Sequence, residues 1–167
     1  MKIPAELKIT ALVVGTCAFY TYVGQLVPQK EVQPPAEVLI SSDITTEEMI
    51  AIGEEIAQGK GLCLTCHTVG ESGSLRFPDL AGIGLSCTTR IPEMSGLEYL
   101  VQSLYEPDIY IVPGFNPGMP MIAKPPIGLS DDEMLCVIAW LQSMGSEATV
   151  TLETEHSYNS SAAETGS

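Results

Sequence analysis

Two cysteines and a histidine stand together in the segment Leu-Cys-Leu-Thr-Cys-His-Thr, as Cys63, Cys66 and His67. Their spacing puts two thiols on one turn of the chain, with an imidazole directly after the second thiol. Thiols placed in this way can reach the two vinyl groups of a single porphyrin, and the imidazole then points at the iron from the proximal side. This Cys-x-x-Cys-His pattern is typical of c-type haem attachment. The sequence therefore predicts one covalent haem c, with His67 as an iron ligand.

Two other kinds of site also use a pair of thiols. A thioredoxin-like redox pair belongs to a βαβ context, and the sequence pattern shows none. A structural zinc site needs a second Cys/His pair at suitable spacing, whereas Cys87 and Cys136 are single and far apart. Haem attachment is therefore the preferred interpretation of the motif.

The elements that must position this motif are three predicted helices. A Ser/Thr-x-x-Glu capping box opens each of them, and the predicted helices cover residues 45–58, 95–106 and 130–144. The rest of this region is rich in Gly and Pro. A large prosthetic group that fills the core would explain why so few elements suffice. The predicted fold class is all-α.

Composition limits the classes of protein to which the chain can belong. Its 167 residues carry a formal charge of −14, which argues against nucleic acid as a partner because such binders need Lys and Arg to neutralise phosphates. The pattern predicts a transmembrane anchor helix over 1–27, a Pro-rich linker over 28–42, a haem domain over 43–146 and a polar acidic tail over 147–167. A tail of this composition is expected to bury little and to be disordered on its own.

The predicted anchor is an uncharged apolar run over residues 9–24 that continues towards the ~20 residues needed to span a bilayer. Because Lys2 and Lys8 precede it, the positive-inside rule predicts a single-pass protein with a cytoplasmic N-terminus. The haem domain then lies on the periplasmic side of a bacterial cytoplasmic membrane. A cleaved signal peptide and a lipoprotein modified at Cys17 are the alternatives. An uncleaved anchor is favoured because no clean small-x-small site follows and the apolar run continues past Cys17.

The order of these motifs resembles a class I monohaem cytochrome c, and the resemblance covers residues 45–145. In that family, a first helix with a small residue, the Cys-x-x-Cys-His motif, a Pro-x-Leu loop, a middle helix, a Met ligand loop and a last helix with an aromatic residue follow one another. The matching positions here are Gly53, Cys63/Cys66/His67, Pro78 to Leu80, residues 95–106, Met119-Pro120 and Trp140. The resemblance implies a class I cytochrome c fold, with three main helices around one covalent haem. It also implies that the first and last helices cross closely at Gly53 and Trp140.

A methionine is the sixth iron ligand that this resemblance implies. In the family, that methionine is usually followed by Pro and lies shortly before a helix that begins Leu-Ser-Asp. Met119 meets both conditions, and Met121 meets only the second. His156 would have to fold back from the polar tail over the haem edge, and a histidine in such a tail is expected to be solvated. Met119 is thus the predicted ligand, with Met121, His156 or no sixth ligand as the alternatives.

Further roles around the haem follow from the same resemblance. The carbonyl of Pro78 is expected to accept a hydrogen bond from the ligand imidazole and so to fix its orientation. Arg90 is expected to face a haem propionate, and an ordinary surface arginine is the alternative. Tyr99, Tyr110 and Phe115 are expected to line the haem.

Two cysteines, Cys87 and Cys136, have no part in haem attachment. In an exported domain such a pair tends to form a disulfide, and two separate buried thiols are the alternative. The fifth cysteine, Cys17, is expected to be an inert thiol within the membrane.

Ligation by His and Met leaves no open position at the iron, so the resemblance implies an electron carrier rather than an enzyme. The loop from Tyr110 to Pro120 resembles ligand loops in the cytochrome c subunits of alternative complex III and of cytochrome-c-containing oxidases. It predicts a subunit of a respiratory or photosynthetic electron-transport complex. The expected partners are other subunits, redox donor and acceptor proteins and the lipid bilayer. A free membrane-anchored shuttle is one alternative, and a haem enzyme or gas sensor with an open iron site is another.

Overall fold

The chain is all-helical in the computed structural model, which describes residues 4–26, 40–73 and 75–158. No strand occurs within those ranges, so the predicted all-α fold class is confirmed. The chain divides into two compact units, Met1–Ala36 and Glu37–Ser167. The predicted linker lies mostly outside the described residues.

The first unit contains one long helix, α1 (Ala5–Leu26), of 22 residues. At about 1.5 Å per residue such a helix is about 33 Å long, which matches the ~30 Å hydrocarbon core of a bilayer. None of its side chains is buried. Among the described residues, α1 alone is long and apolar enough to cross a membrane.

The second unit contains α2 (Thr46–Gln58), a 3-10 turn (Cys63–Thr65), α3 (Ile83–Ser86), α4 (Gly96–Tyr105) and α5 (Asp131–Ser143). The side chains of Thr45, Ser95 and Ser130 each accept a hydrogen bond from the backbone N–H three residues further on. This bond satisfies one of the donors that a helix start leaves without a partner. The predicted starts of α2, α4 and α5 are therefore confirmed.

The core forms where α2 crosses α5. Gly53 lies at this crossing, and a Cβ atom placed on it would be 2.6 Å from the carbonyl carbon of Cys136 and 2.9 Å from Cβ of Trp140. Only a glycine allows the two backbones to come so close. The crossing implied by the cytochrome c resemblance is present, with Gly53 and Trp140 at the contact.

Helix α3 has no counterpart in the sequence-based prediction. It has only four residues, which is too short for a hydrophobic period, and no side chain caps its start. It is held from outside, because Gly84 N donates to Met144 O at 2.9 Å. A Cβ atom on Gly84 would lie 2.8 Å from the carbonyl carbon of Gln142. This second close approach of backbones packs α3 against the end of α5.

Part of the predicted tail differs from the expectation that it buries little. Residues 147–158 run back along the helical domain, and Val150 is only 1 % exposed. The amide side chain of Gln142 fixes their first turn, since Thr149 N donates to its Oε1 at 2.9 Å. The boundary predicted at residue 146 therefore falls inside a packed region. The physical reason is that a few apolar and aromatic residues bury enough surface to order an otherwise polar segment.

His156 is buried rather than solvated, with 8 % exposure, so the expectation for this side chain is wrong. Its ring packs on Tyr105 with centroids 5.5 Å apart, and Tyr158 stacks on the same Tyr105 ring at 5.3 Å. Its Nδ1 accepts a hydrogen bond from Tyr158 N at 3.2 Å, while no described residue bonds its Nε2. Burial lowers the pKa of His156 below its ordinary value, although Asp131 and Glu98 act in the opposite direction.

Candidate haem site

The Cys-x-x-Cys-His motif occupies a tight turn just after α2. Cys63 begins the 3-10 turn, and Cys63 O accepts hydrogen bonds from Cys66 N at 3.2 Å and from His67 N at 2.9 Å. Leu62 enters this turn with a left-handed backbone, at φ 56°. The turn brings both thiols and the imidazole onto one short stretch of chain, which is the arrangement that the sequence spacing predicts.

The imidazole of His67 has a defined orientation. Its Nδ1 lies 2.7 Å from Pro78 O. A carbonyl oxygen can only accept, so Nδ1 carries the proton and Nε2 keeps its lone pair for a metal. Such a bond to a backbone carbonyl fixes the ring and makes it a more basic ligand. The hydrogen bond implied by the cytochrome c resemblance is thus present.

Asp79, directly after Pro78, has a role that the sequence-based reasoning missed. Its carboxylate accepts hydrogen bonds from Thr68 Oγ1 at 2.7 Å and from the backbone N–H groups of Gly70, Glu71 and Ala81 at 2.8–3.0 Å. The Thr68 hydroxyl and these three amides hold the pKa of Asp79 well below its ordinary value. A Pro-Asp pair after a loop was the only signal, and it does not reveal which amides would converge on the carboxylate.

One cavity brings together the predicted cofactor-binding residues, which are Cys63, Cys66, His67, Pro78, Arg90 and Met119. Its wall also includes the three aromatic side chains expected around the haem, Tyr99, Tyr110 and Phe115. The rings of Tyr99 and Tyr110 pack edge to face with centroids 5.8 Å apart. A wall of this kind suits a flat apolar macrocycle with polar groups at its edge.

The alternatives for the sixth ligand differ in position. Met119 lines the cavity and is half-buried, whereas Met121 is 38 % exposed and does not line it. His156 packs on Tyr105, and neither of these two side chains lines the cavity. Met119 is therefore the one of the three side chains that shares a cavity with His67.

Arg90 provides a test of whether a haem fits this cavity. Its guanidinium lies over the Tyr99 ring, 5.9 Å from the centroid, and its Nη1 is buried without a hydrogen-bond partner in the described part of the chain. A buried donor without a partner is costly. A propionate at the cavity edge would supply the acceptor and the opposite charge. The thiol pair, the oriented imidazole and this arginine together fit a covalently bound haem.

The fold and the site define a small helical domain with a cavity that fits a covalently bound haem. A family model for Cytochrome c matches residues 50–145, so the chain belongs to the cytochrome c family. Its cofactor is accordingly one covalent haem c, and the activity typical of the family is electron transfer. No curated protein matches the chain.

Cys87 and Cys136, the two cysteines of the haem domain outside the Cys-x-x-Cys-His motif, are both buried free thiols in the structure. Cys87 Sγ donates to Gly84 O at 3.2 Å. Burial, followed by the charges of Asp132 and Glu133, raises the pKa of Cys136 to about 12. Of the two possibilities left open by the sequence, the structure has two separate thiols.

Proposed function

We propose that this protein transfers single electrons through a haem c whose iron is ligated by His67 and Met119. The observation that carries the proposal is that one cavity is lined by Met119 and by His67, whose Nδ1 is already bonded to Pro78 O at 2.7 Å. When bound, haem c supplies an iron that alternates between the ferric and ferrous states. A thioether ligand favours the ferrous state and raises the reduction potential.

The residues of this chain have separate tasks in that reaction. Cys63 and Cys66 would hold the macrocycle covalently, and Pro78 keeps the His67 ring in one orientation. Arg90, whose buried Nη1 lacks a partner among the described residues, would neutralise a haem propionate. Rigid ligands keep the geometry similar in both oxidation states, so little reorganisation accompanies each electron.

The absorption spectrum of the ferric protein tests this ligation. We expect a low-spin spectrum with the weak far-red band of Met-ligated ferric haem. Met119→Ala should remove that band and leave a high-spin iron, while the matched variant Met121→Ala should retain it. A high-spin spectrum of the unchanged protein would favour the alternative of a haem enzyme or gas sensor with an open iron site. Loss of the band in Met121→Ala alone would move the ligand to Met121.

We further propose that α1 anchors the protein in a bacterial cytoplasmic membrane, with the N-terminus in the cytoplasm and the haem domain on the periplasmic side. The length of α1 supports a membrane span, and the lysines at positions 2 and 8 support the cytoplasmic N-terminus. We also propose that the protein is a subunit of a respiratory or photosynthetic electron-transport complex, of the quinol-oxidising, alternative complex III-like type. This rests on the likeness of the loop from Tyr110 to Pro120 to the loops of such subunits.

Purification from membranes in mild detergent tests both proposals. An anchored subunit should remain in the membrane fraction after a high-salt wash and should elute with other subunits at a defined stoichiometry. Elution as a single haem protein would favour the alternative of a free membrane-anchored shuttle. Release into the soluble fraction with α1 removed would show that α1 acts as a cleaved signal.

A further inference from the structure

Asp79 connects the two ends of the loop that carries His67 and Pro78. We propose that Asp79 is a positioning residue that sets the reduction potential by holding Pro78 O against the His67 ring. This inference rests on the proposed ligation of iron by His67. It adds a carboxylate that acts on His67 only through the loop around Pro78 and makes no hydrogen bond to His67 itself.

The loop closes on Asp79 from both sides. Thr68, which directly follows His67, donates its hydroxyl to Asp79 Oδ2 at 2.7 Å. Ala81 N, from the other limb of the loop, donates to Asp79 Oδ1 at 2.8 Å. A backbone bond runs beside them, from Leu80 N to Thr68 O at 2.8 Å. Thr68, which neighbours His67, is therefore tied to the carboxylate of Asp79, which neighbours Pro78.

The carboxylate also fixes the turn between these limbs. Gly70 N donates to Asp79 Oδ1 at 3.0 Å, and Glu71 N donates to Oδ2 at 3.0 Å. With Thr68 and Ala81, each carboxylate oxygen thus accepts two hydrogen bonds. An ionised carboxylate makes such bonds shorter and stronger than a neutral acceptor does. An asparagine at this position would offer one acceptor oxygen instead of two, and its amide would face backbone donors.

The position of Pro78 O matters for the electron because the imidazole is more basic when Nδ1–H is hydrogen-bonded. A more basic imidazole stabilises the ferric state and lowers the reduction potential. If the loop relaxes and Pro78 O moves away, the potential should rise. The negative charge of Asp79 acts in the same direction, so the experiment must separate the charge from the hydrogen bonds.

Three variants of the full-length haem protein make this separation. Asp79→Asn removes the charge and two acceptor positions, and Thr68→Val removes one hydrogen bond without any change in charge. Glu71→Gln is the matched control, because it removes an exposed carboxylate from the same loop while leaving the backbone N–H of Glu71 in place. The measurements are the reduction potential and, by NMR of the ferrous protein, the solvent-exchange rate of the His67 Nδ1 proton.

We expect both Asp79→Asn and Thr68→Val to shift the ferrous-to-ferric ratio at a fixed applied potential towards the ferrous form. For Asp79→Asn the expected shift is about threefold, or about 28 mV for one electron, since tenfold corresponds to about 59 mV. Thr68→Val should give a smaller shift in the same direction. In both variants the His67 Nδ1 proton should exchange faster with solvent. Glu71→Gln should leave that exchange rate unchanged.

Unchanged potential and unchanged proton exchange in both loop variants, with an intact low-spin spectrum, would overturn this inference and leave the proposed ligation standing. An equal shift in Glu71→Gln and Asp79→Asn, with none in Thr68→Val, would also overturn it, because charge alone would then be the cause. A high-spin spectrum of the unchanged protein would reject the ligation together with the inference. If Asp79→Asn does not retain haem, the comparison of Thr68→Val with Glu71→Gln decides the question. A raised potential with faster His67 Nδ1 proton exchange in Thr68→Val, and unchanged exchange in Glu71→Gln, supports the inference, and no change in Thr68→Val overturns it.

Discussion

Replacement of Gly53 by alanine tests whether the close crossing of α2 and α5 holds the haem domain together. The added Cβ atom would be 2.6 Å from the carbonyl carbon of Cys136 and 2.9 Å from Cβ of Trp140, and the Cys136 oxygen is nearer still. Two of these three atoms belong to backbone, so no side-chain rotation relieves the clash. The two helices must move apart.

The size of the effect follows from what such a movement loses. The crossing buries large side chains completely, including Met49 and Ile56 of α2 and Met134 and Ile138 of α5. A gap of about 0.5–1 Å already removes a quarter to a half of the dispersion energy between facing atoms. Overpacked cores lose about 1–3 kcal/mol, while Gly→Ala in a helix returns about 1 kcal/mol. Because the nearest atoms to the added Cβ belong to the Cys136 backbone, we take the upper end of that range and expect a net loss of about 2 kcal/mol in the free energy of unfolding.

Urea unfolding of the haem-loaded protein, followed by circular dichroism, measures this loss. Ala51→Gly is the matched control, because Ala51 is an exposed position of the same helix and reports helix propensity alone. It should lose about 1 kcal/mol. Gly53→Ala should lower the urea midpoint more than Ala51→Gly does. A Gly53→Ala protein as stable as the unchanged one would refute the account of the crossing.

Two further predictions concern charges outside the haem cavity. Lys60 Nζ lies 2.7 Å from Oε2 of Glu133, which is 5 % exposed; Lys60→Met should therefore lower the free energy of unfolding by about 1–2 kcal/mol. Burial tends to raise the pKa of Glu133, but its hydrogen bonds from Lys60 and Ser130 outweigh this and lower the pKa. In urea unfolding, the difference in stability between the unchanged protein and Lys60→Met should therefore shrink as pH falls below about 4.5. His156 has a lowered pKa, so the packing of residues 147–158 is fully stabilised above about pH 6.5 and weakens as pH falls below it. Limited proteolysis should cut this segment faster at acidic pH, and His156→Ala should remove that pH dependence; equal cleavage across the range in the unchanged protein would contradict it.

The features of the domain that the sequence predicts correctly depend on interactions between residues close together in the chain. The starts of α2, α4 and α5 follow from Ser/Thr-x-x-Glu signatures, in which the side chains of Thr45, Ser95 and Ser130 accept a hydrogen bond from a backbone amide only three residues away. The Cys63 to His67 motif is likewise contained in one turn. Such short-range interactions depend on neighbours in the sequence, so they can be recognised before the fold is known.

The features that the sequence did not predict depend on distant partners. Helix α3 exists because Gly84 meets the end of α5, and nothing within its four residues indicates a helix. His156 is buried by the Tyr105 ring, some fifty residues earlier in the chain. Asp79 differs from the other exposed-looking carboxylates only through the four donors that the loop turns towards it. Each of these needs the three-dimensional fold to be known first.

Carbon monoxide binding to the reduced, full-length protein tests the central claim most directly, because it reports whether the iron has an open position. With His67 and Met119 as ligands, the ferrous spectrum should stay unchanged when carbon monoxide is added at neutral pH. Met119→Ala should bind carbon monoxide and thereby show that the assay works. Stoichiometric binding to the unchanged protein would contradict the account, since an iron with an open site would belong to an enzyme or a gas sensor.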